Sequence, residues 1–322
     1  MKIAFRVDGS KKLGMGHVNR CKILAKKLEK NNVDCIFITR FKSIYEYLLC
    51  NGFVVFFIGN KNESDQVNQI LKKEKCLKLV IDTKRKSIEN LIKNLDKKIK
   101  TILIDNTFCS NYVDLIIIPS IKNPNKQYPE NSIVGTPYIL HGIENFSNSN
   151  KRKNYSILVS MGGSDKYHIT KRLLNSFHKN KTDFNLLVVL GKYNDDEKYI
   201  QNISQNDSRF NLVKNTSNME QLMKQSIVGL FLFGITVFEA AICKLPSFVL
   251  SHSNENDGSA KLVEKYGWIN YVGKYDEINY DAVTKQVLDL IHNKKQLSKM
   301  KQSCLQIDGL GVSRIAEYIQ KL

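Results

Sequence analysis

The sequence predicts an α/β protein of two halves, each a mostly parallel sheet wound with helices. Three observations carry that prediction. Apolar runs of strand length alternate with amphipathic stretches of helical period. Runs such as Leu115-Ile-Ile-Ile118 are apolar throughout, as strands covered on both faces are. A polar stretch, Glu144–Lys153, separates two series that each open as strand, glycine loop, helix.

In the first series strands are expected at Ile3–Val7, Asp34–Thr39, Val54–Ile58, Leu79–Asp82, Thr101–Asp105 and Leu115–Ile118. Helical patterns fill Val18–Lys30, Lys42–Asn51, Ser64–Lys75 and Ser87–Asn94 between them. The second series starts with the strand Tyr155–Ser160, the loop Met161-Gly-Gly-Ser-Asp165 and a helix at Ile169–His178. Strands follow at Asn185–Leu190, Phe210–Val213, Ile227–Phe233 and Pro246–Leu250. Helices are expected at Asn218–Gln225, Thr236–Cys243, Asn256–Lys265, Tyr280–His292 and Gly311–Leu322. The domains are therefore read as residues 1–145 and 153–322, both Rossmann-like. Ligands of such sheets sit beyond the carboxyl ends of the strands. Two sheets facing across a cleft would share one site there.

Composition narrows the function classes. A chain of 322 residues with 42% hydrophobic content can bury two cores, and no apolar run is long enough to span a membrane. Arg6 and Asp8 interrupt the first apolar run, so no secretory leader is read, and a cytoplasmic protein is expected. The seven cysteines are scattered singly, which suits reduced core thiols better than disulfides or a zinc site. A formal charge of +18 favours anionic ligands such as nucleotides. Without a recognition-helix or aromatic-basic signature, nucleic acid is not an expected partner.

The stretch Asp8-Gly-Ser-Lys-Lys-Leu-Gly-Met-Gly-His-Val-Asn-Arg20 concentrates the chemistry. A glycine loop running into a helix aims backbone N–H groups and the helix dipole at one point. Gly14 and Gly16 fit neither a dinucleotide fingerprint nor a phosphate-binding P-loop. What they deliver is His17 at a helix mouth, where the dipole disfavours the imidazolium and leaves a ring able to act as a base. Asp8, ending the first strand, would orient that ring, contact substrate or merely cap a turn. Arg20 shares a helix face with His17 and would bind an anion or a neighbouring carboxylate.

In the second half, Gly162, Gly163 and Ser164 form the first loop. Gly234, Ile235 and Thr236 open a helix whose N-terminus can hold a diphosphate. Glu239 lies about one turn further on, where it would accept bonds from a ribose diol or complement the helix dipole. The segment Ser253–Asn256, with Asn254, offers amides to sugar hydroxyl or acetamido groups, or is an ordinary polar loop.

These residues carry a family resemblance. Asp8-Gly-Ser…Gly14-Met-Gly-His-Val-Asn-Arg20 resembles the opening motif of the UDP-sugar hydrolases of pseudaminic acid biosynthesis. Those enzymes release UDP from UDP-2,4-diacetamido-2,4,6-trideoxy-β-L-altrose, and spore-coat polysaccharide proteins share the motif. Met161–Asp165, Thr236–Ala241 with Lys244-Leu-Pro246, and Asp308-Gly-Leu-Gly311 with Arg314 resemble later blocks. The resemblance implies a GT-B-like fold, with His17 activating water against the anomeric carbon. It further implies that the second half binds nucleotide, with Gly163 and Gly234–Thr236 meeting the diphosphate and Glu239 the ribose. Neither metal nor cofactor is implied, and a monomer is expected.

Two departures stand out. Lys84 in Asp82-Thr-Lys84 replaces a family tyrosine of the substrate site. Phe231-Leu-Phe233 replaces small residues before the second glycine helix, and its bulk is expected to obstruct or reshape the nucleotide approach. Two other functions are compatible with the same residues. One is an inverting glycosyltransferase in which His17 deprotonates an acceptor hydroxyl; the other is a nucleotide-sugar-binding protein without turnover.

Overall fold

The structure is a computed structural model that describes residues 1–9, 14–83, 88–107, 109–143, 154–216 and 218–322. Lys84 and the stretch Glu144–Lys153 lie outside the described residues. The chain divides into two compact units, Met1–Gly142 with Leu310–Leu322, and Ile143–Gly309.

The first unit runs β1 (Lys2–Val7), α1 (Gly16–Lys30), β2 (Asp34–Thr39), α2 (Lys42–Cys50), β3 (Val54–Phe57), α3 (Glu63–Lys73), β4 (Lys78–Asp82), α4 (Ile88–Lys93), β5 (Lys100–Ile104), β6 (Leu115–Ile118) and β7 (Ser132–Val134). Its strands form a sheet in the order β3-β2-β1-β4-β5-β6-β7, and every pairing is parallel. Alternation divides the strand side chains between two cores. Ile3, Phe5 and Val7 meet α1 and α2, while Ala4, Leu79 and Ile81 meet α3 and α4.

Helix α1 shows why these residues fold as they do. Val18, Cys21, Leu24, Ala25 and Leu28 recur at three- and four-residue steps and are all buried. The helix stops where Asn32 turns left-handed at φ 61°, with the Val33 N–H returned to the Leu28 carbonyl at 3.0 Å.

The second unit runs β8 (Tyr155–Ser160), α5 (Ile169–Lys179), β9 (Leu186–Leu190), α6 (Glu197–Asn206), β10 (Phe210–Lys214), α7 (Met219–Lys224), β11 (Ser226–Leu232), α8 (Ile235–Ile242), β12 (Ser247–Ser251), α9 (Asn254–Glu264), β13 (Ile269–Lys274), α10 (Tyr280–His292) and α11 (Lys294–Ser303). Its parallel sheet has the order β10-β9-β8-β11-β12-β13. One face packs on α5, α6, α10 and α11.

The last helix, α12 (Gly311–Lys321), corrects the sequence reading, which gave residues 153–322 to the second half. Ile315, Ala316 and Ile319 are fully buried in the core of the first unit, beside α1. Lys78 of β4 donates to the carbonyls of Ile319 at 2.7 Å and Gln320 at 2.9 Å, satisfying the helix C-terminus with a cation. The helix can approach because Gly311 has no side chain: a Cβ there would lie 2.3 Å from the Ile139 carbonyl oxygen.

Helices α6 and α11 and strands β7 and β13 were not foreseen. Each offers one or two buried side chains or none, too few to impose a period on the sequence. None of the seven cysteines is in a disulfide and four are buried, but Cys50 is exposed and so is not a core thiol. Among the described residues no helix is long and apolar enough to cross a membrane.

Candidate functional site

Parallel pairing sets Val7 of β1 opposite Asp82 of β4, so the carboxyl ends of the two strands lie side by side. The chain leaving β1 enters α1 through Gly14, whose φ of +79° suits a residue without Cβ, and through Met15. His17 and Arg20 of α1 thereby come over the end of β4. The Nδ1 atom of His17 is 2.6 Å from Oδ1 of Asp82. Arg20 donates to both oxygens of the same carboxylate, from Nε at 2.5 Å and from Nη2 at 2.7 Å.

The protonation pattern follows. Burial alone would raise the Asp82 carboxyl, but the charge and hydrogen bonds of Arg20, with the His17 bond, outweigh it and hold it down to about 2. An ionised carboxylate can only accept, so Nδ1 of His17 carries hydrogen. The 3.1 Å approach of Arg20 Nη2 to that same Nδ1 then brings two donors together and is a proximity, not a bond. Nε2 is the ring nitrogen that Asp82 does not engage. Cys21, its thiol raised by burial and by Asp82, donates to Oδ2 at 3.5 Å.

Arg20 takes the second of its two expected roles. Besides Asp82 it reaches Asp105, which follows β5, from Nη1 to Oδ2 at 3.2 Å. Burial opposes its charge, and Asp82 and Asp105 overcome that and hold the guanidinium charged. A guanidinium matched by two carboxylates is a clamp on them, not an open anion site.

Asp8 is also placed differently from the expectation. Its two oxygens accept from Arg6 at 2.7 and 3.0 Å, and it is 2% exposed. Arg6, fully buried, donates onward to Glu63 at 2.8 Å. This ion network lies with Ala4 on the α3 side of the sheet, because side chains alternate along β1, and the ring of His17 is oriented by Asp82. Gly16 stands at the start of α1 with open space where a Cβ would be.

In the second unit the loop after β8 turns at Gly162, φ +86°, and packs on the loop after β9. A Cβ on Gly191 would lie 2.4 Å from the Gly163 backbone, and Tyr193 donates its N–H to the Gly163 carbonyl at 2.9 Å. Ser164 lies in the same turn, half-buried, and Asp165 closes it by accepting the N–H groups of Ile169 and Thr170 at 3.0 and 2.8 Å. Gly234 caps α8, with open space at its Cβ position and no side chain bonded to the cap. Ile235 and Thr236 open the helix with no acidic residue in the first turn, so no charge of that turn offsets the positive end of the dipole. Glu239, half-buried, stands beyond that turn and does not have the dipole-complementing position.

Of the two aromatic residues in the departure, Phe231 is core and Phe233 is half-buried. Phe231 is fully buried, its ring laid over Gly229, where a Cβ would be 2.2 Å from a ring carbon. Phe233 meets Phe238 edge-on at 6.3 Å. Phe231 therefore fills core space that Gly229 leaves and does not obstruct the start of α8.

The segment Ser253–Asn256 is not an ordinary loop. Ser253 caps α9, accepting the Asn256 N–H at 3.2 Å, and Asn254 is the exposed first residue of that helix. The Asn256 amide lies 3.0 Å from Nδ1 of His252, whose ring is 5.9 Å from that of Tyr167. Tyr167 stacks on Tyr275 at 4.1 Å. Burial, and then Lys166, lower the His252 pKa. Asp82, Asp105, Cys21 and His252 were not singled out as site residues from the sequence. Asp82, Asp105 and His252 carried a usable signal, since each is a polar residue where an apolar strand run ends.

No protein-family model matches the chain. An uncharacterized protein of Methanocaldococcus jannaschii is 30% identical over 279 residues, 79% of this chain. The match spans only 56% of that relative's length. The UDP-2,4-diacetamido-2,4,6-trideoxy-β-L-altropyranose hydrolase of Campylobacter jejuni is 23% identical, over 83% of this chain and 98% of its own. The spore coat polysaccharide biosynthesis protein SpsG of Bacillus subtilis is 23% identical, over 100% and 98%. Among solved structures, MurG of Acinetobacter baumannii superposes with a TM-score of 0.74 at 11% identity, covering 100% of this chain and 99% of its own. Anabaena HepE, solved with UDP, gives 0.69 at 13% identity, with both chains wholly covered. The fold is GT-B.

Proposed function

We propose that this chain is a nucleotide-sugar-processing enzyme that releases UDP from a UDP-linked 2,4-diacetamido-2,4,6-trideoxyhexose, a step of nonulosonic (pseudaminic) acid formation. The observation that carries the reading is the buried Asp82 carboxylate holding Nδ1 of His17 at 2.6 Å. A base oriented through one ring nitrogen is free to take a proton on the other. The similarity to the Campylobacter hydrolase supports the substrate class, and the UDP complex of a structural neighbour supports the nucleotide.

In this reaction Nε2 of His17 takes a proton from water as the water oxygen bonds to the anomeric carbon. The bond from that carbon to the diphosphate oxygen breaks, UDP leaves with the bonding pair, and the configuration inverts. General-base assistance of this kind is worth about 10²–10⁴-fold. The N-terminus of α8 and the Gly162–Ser164 loop would bind the diphosphate, with Glu239 on the ribose. Asn254 would contact the sugar.

The test is product analysis in ¹⁸O-water with a panel of UDP-linked diacetamido sugars. Label in the sugar, lost with His17→Ala, is expected. Label in UDP would sink the mechanism, and UDP release only on adding an acceptor would make the chain an inverting transferase. Tight binding without turnover under either condition would leave a binding protein.

A further inference from the structure

Three carboxylates follow or end adjacent strands of the first unit, and their surroundings differ. Asp8 and Asp82 have side chains 1% and 0% exposed, with both oxygens of each engaged. The Asp105 side chain is 31% exposed. Its Oδ2 accepts one long bond from Arg20, at 3.2 Å, and its Oδ1 bonds to nothing among the described residues.

The backbone holds Asp105 in a costly conformation, φ +55°. A left-handed conformation is strained for a residue with a Cβ and persists only where its surroundings fix it. Here the Asp105 N–H is bonded to the Ile117 carbonyl at 2.8 Å, and the next residue, Asn106, donates to the Thr83 carbonyl at 3.2 Å. Both anchors are backbone carbonyls beside the end of the sheet, so they set where the Asp105 side chain leaves the chain. Arg20 does not need Asp105 for its own placement, since Asp82 already binds it through two nitrogens.

Charge restricts what can approach. Among the described residues bonded in this cluster, Arg20 carries one positive charge against the two carboxylates of Asp82 and Asp105, so the cluster has no spare cation to bind a diphosphate. A carboxylate oxygen only accepts hydrogen bonds, so its partner must be a donor. We propose that Asp105 is a specificity-determining residue whose Oδ1 accepts a hydrogen bond from a hydroxyl or amide N–H of the sugar on which His17 acts. The inference rests on the reading of the chain as a nucleotide-sugar enzyme.

The test pairs Asp105 variants with UDP-linked diacetamido sugars, each lacking one donor through a deoxy position or an ester in place of an amide. In the wild type, loss of the recognised donor is expected to lower kcat/KM by about 10- to 100-fold, the size of one hydrogen bond to a charged group. In Asp105→Gly the same change should cost less than about twofold, with KM and not kcat carrying the difference. Glycine accepts φ +55° without strain, so this variant should melt at or above the wild-type temperature. Asp105→Asn keeps an acceptor oxygen and should restore part of the discrimination. If every analogue loses the same factor in wild type and Asp105→Gly, the inference is overturned while the reading stands. If the wild type neither binds nor turns over any member of the panel, the reading falls and the inference with it.

Discussion

Nδ1 of His17 lies 2.6 Å from a carboxylate oxygen of Asp82 that also accepts a bond from Arg20. One buried charge thus orients the imidazole and anchors the helix that carries it. His17→Ala should lower turnover about 10²–10⁴-fold and leave the thermal midpoint nearly unchanged. Asp82→Asn should lower turnover comparably, because an amide can present N–H to the ring and shift its tautomer. It should also destabilise the fold by about 3 kcal/mol by leaving Arg20 buried without its main partner. Rates and denaturant melts of the two variants, side by side, check this.

The same carboxylate sets an acid limit. Its folded-state pKa of about 2 lies below the ordinary 3.8. A depressed carboxyl stabilises the fold fully above about pH 4 and loses that contribution as pH falls through 4 toward 2. It amounts to roughly 2 kcal/mol. Denaturant titrations across that window should show the loss in the wild type and a flatter profile in Asp82→Asn.

Arg20→Lys keeps the charge but cannot bond both oxygens of Asp82 in one plane while reaching Asp105. Turnover should fall at least tenfold. Affinity for free UDP should stay within about twofold, because the clamp holds carboxylates and no phosphate. A large loss of UDP affinity in calorimetry would return Arg20 to an anion-binding role.

Gly191→Ala would put a Cβ 2.4 Å from the Gly163 backbone. Two backbones cannot yield as a flexible side chain can, so about 1–3 kcal/mol of destabilisation is expected. UDP affinity should weaken at least tenfold as the Gly162–Ser164 loop shifts. Calorimetric titration with UDP checks it, with Gly258→Ala as control, since that position has open space.

Ile319→Ala removes a fully buried side chain of α12 and should cost the first unit about 2–5 kcal/mol. Hydrogen exchange should then quicken in β1 and α1 and remain as before in β8 to β12. Faster exchange in the second unit instead would contradict the placement of the C-terminal helix.

Much of the fold was legible because long apolar runs and amphipathic periods leave few alternatives. The strands Asp34–Thr39, Leu115–Ile118 and Tyr155–Ser160 and the helix Tyr280–His292 lie where their residues predict. Strand β13, with one buried residue, and α11, with two, carried too little pattern. In the candidate site the local signal gave His17 at a helix mouth and Gly234 before α8. The partners of His17 were harder to find, since Asp82 and Asp105 lie 65 and 85 residues from His17 and Arg20 respectively.

By itself the sequence determined two wound α/β series, the glycine turn that starts α1, and a histidine and an arginine one turn apart on that helix. Those are local properties, set by periodicity, φ preference and helical spacing. Only tertiary structure decided which carboxylate faces the histidine. Alternation along β1 turns Asp8 toward Arg6 on the α3 side, and parallel pairing brings Asp82 under α1 instead. It also decided that Arg20 clamps carboxylates, that Phe231 fills the space over Gly229, and that the last helix returns to the first core. Such outcomes depend on which faces meet across the sheet, which spacing along one chain does not encode.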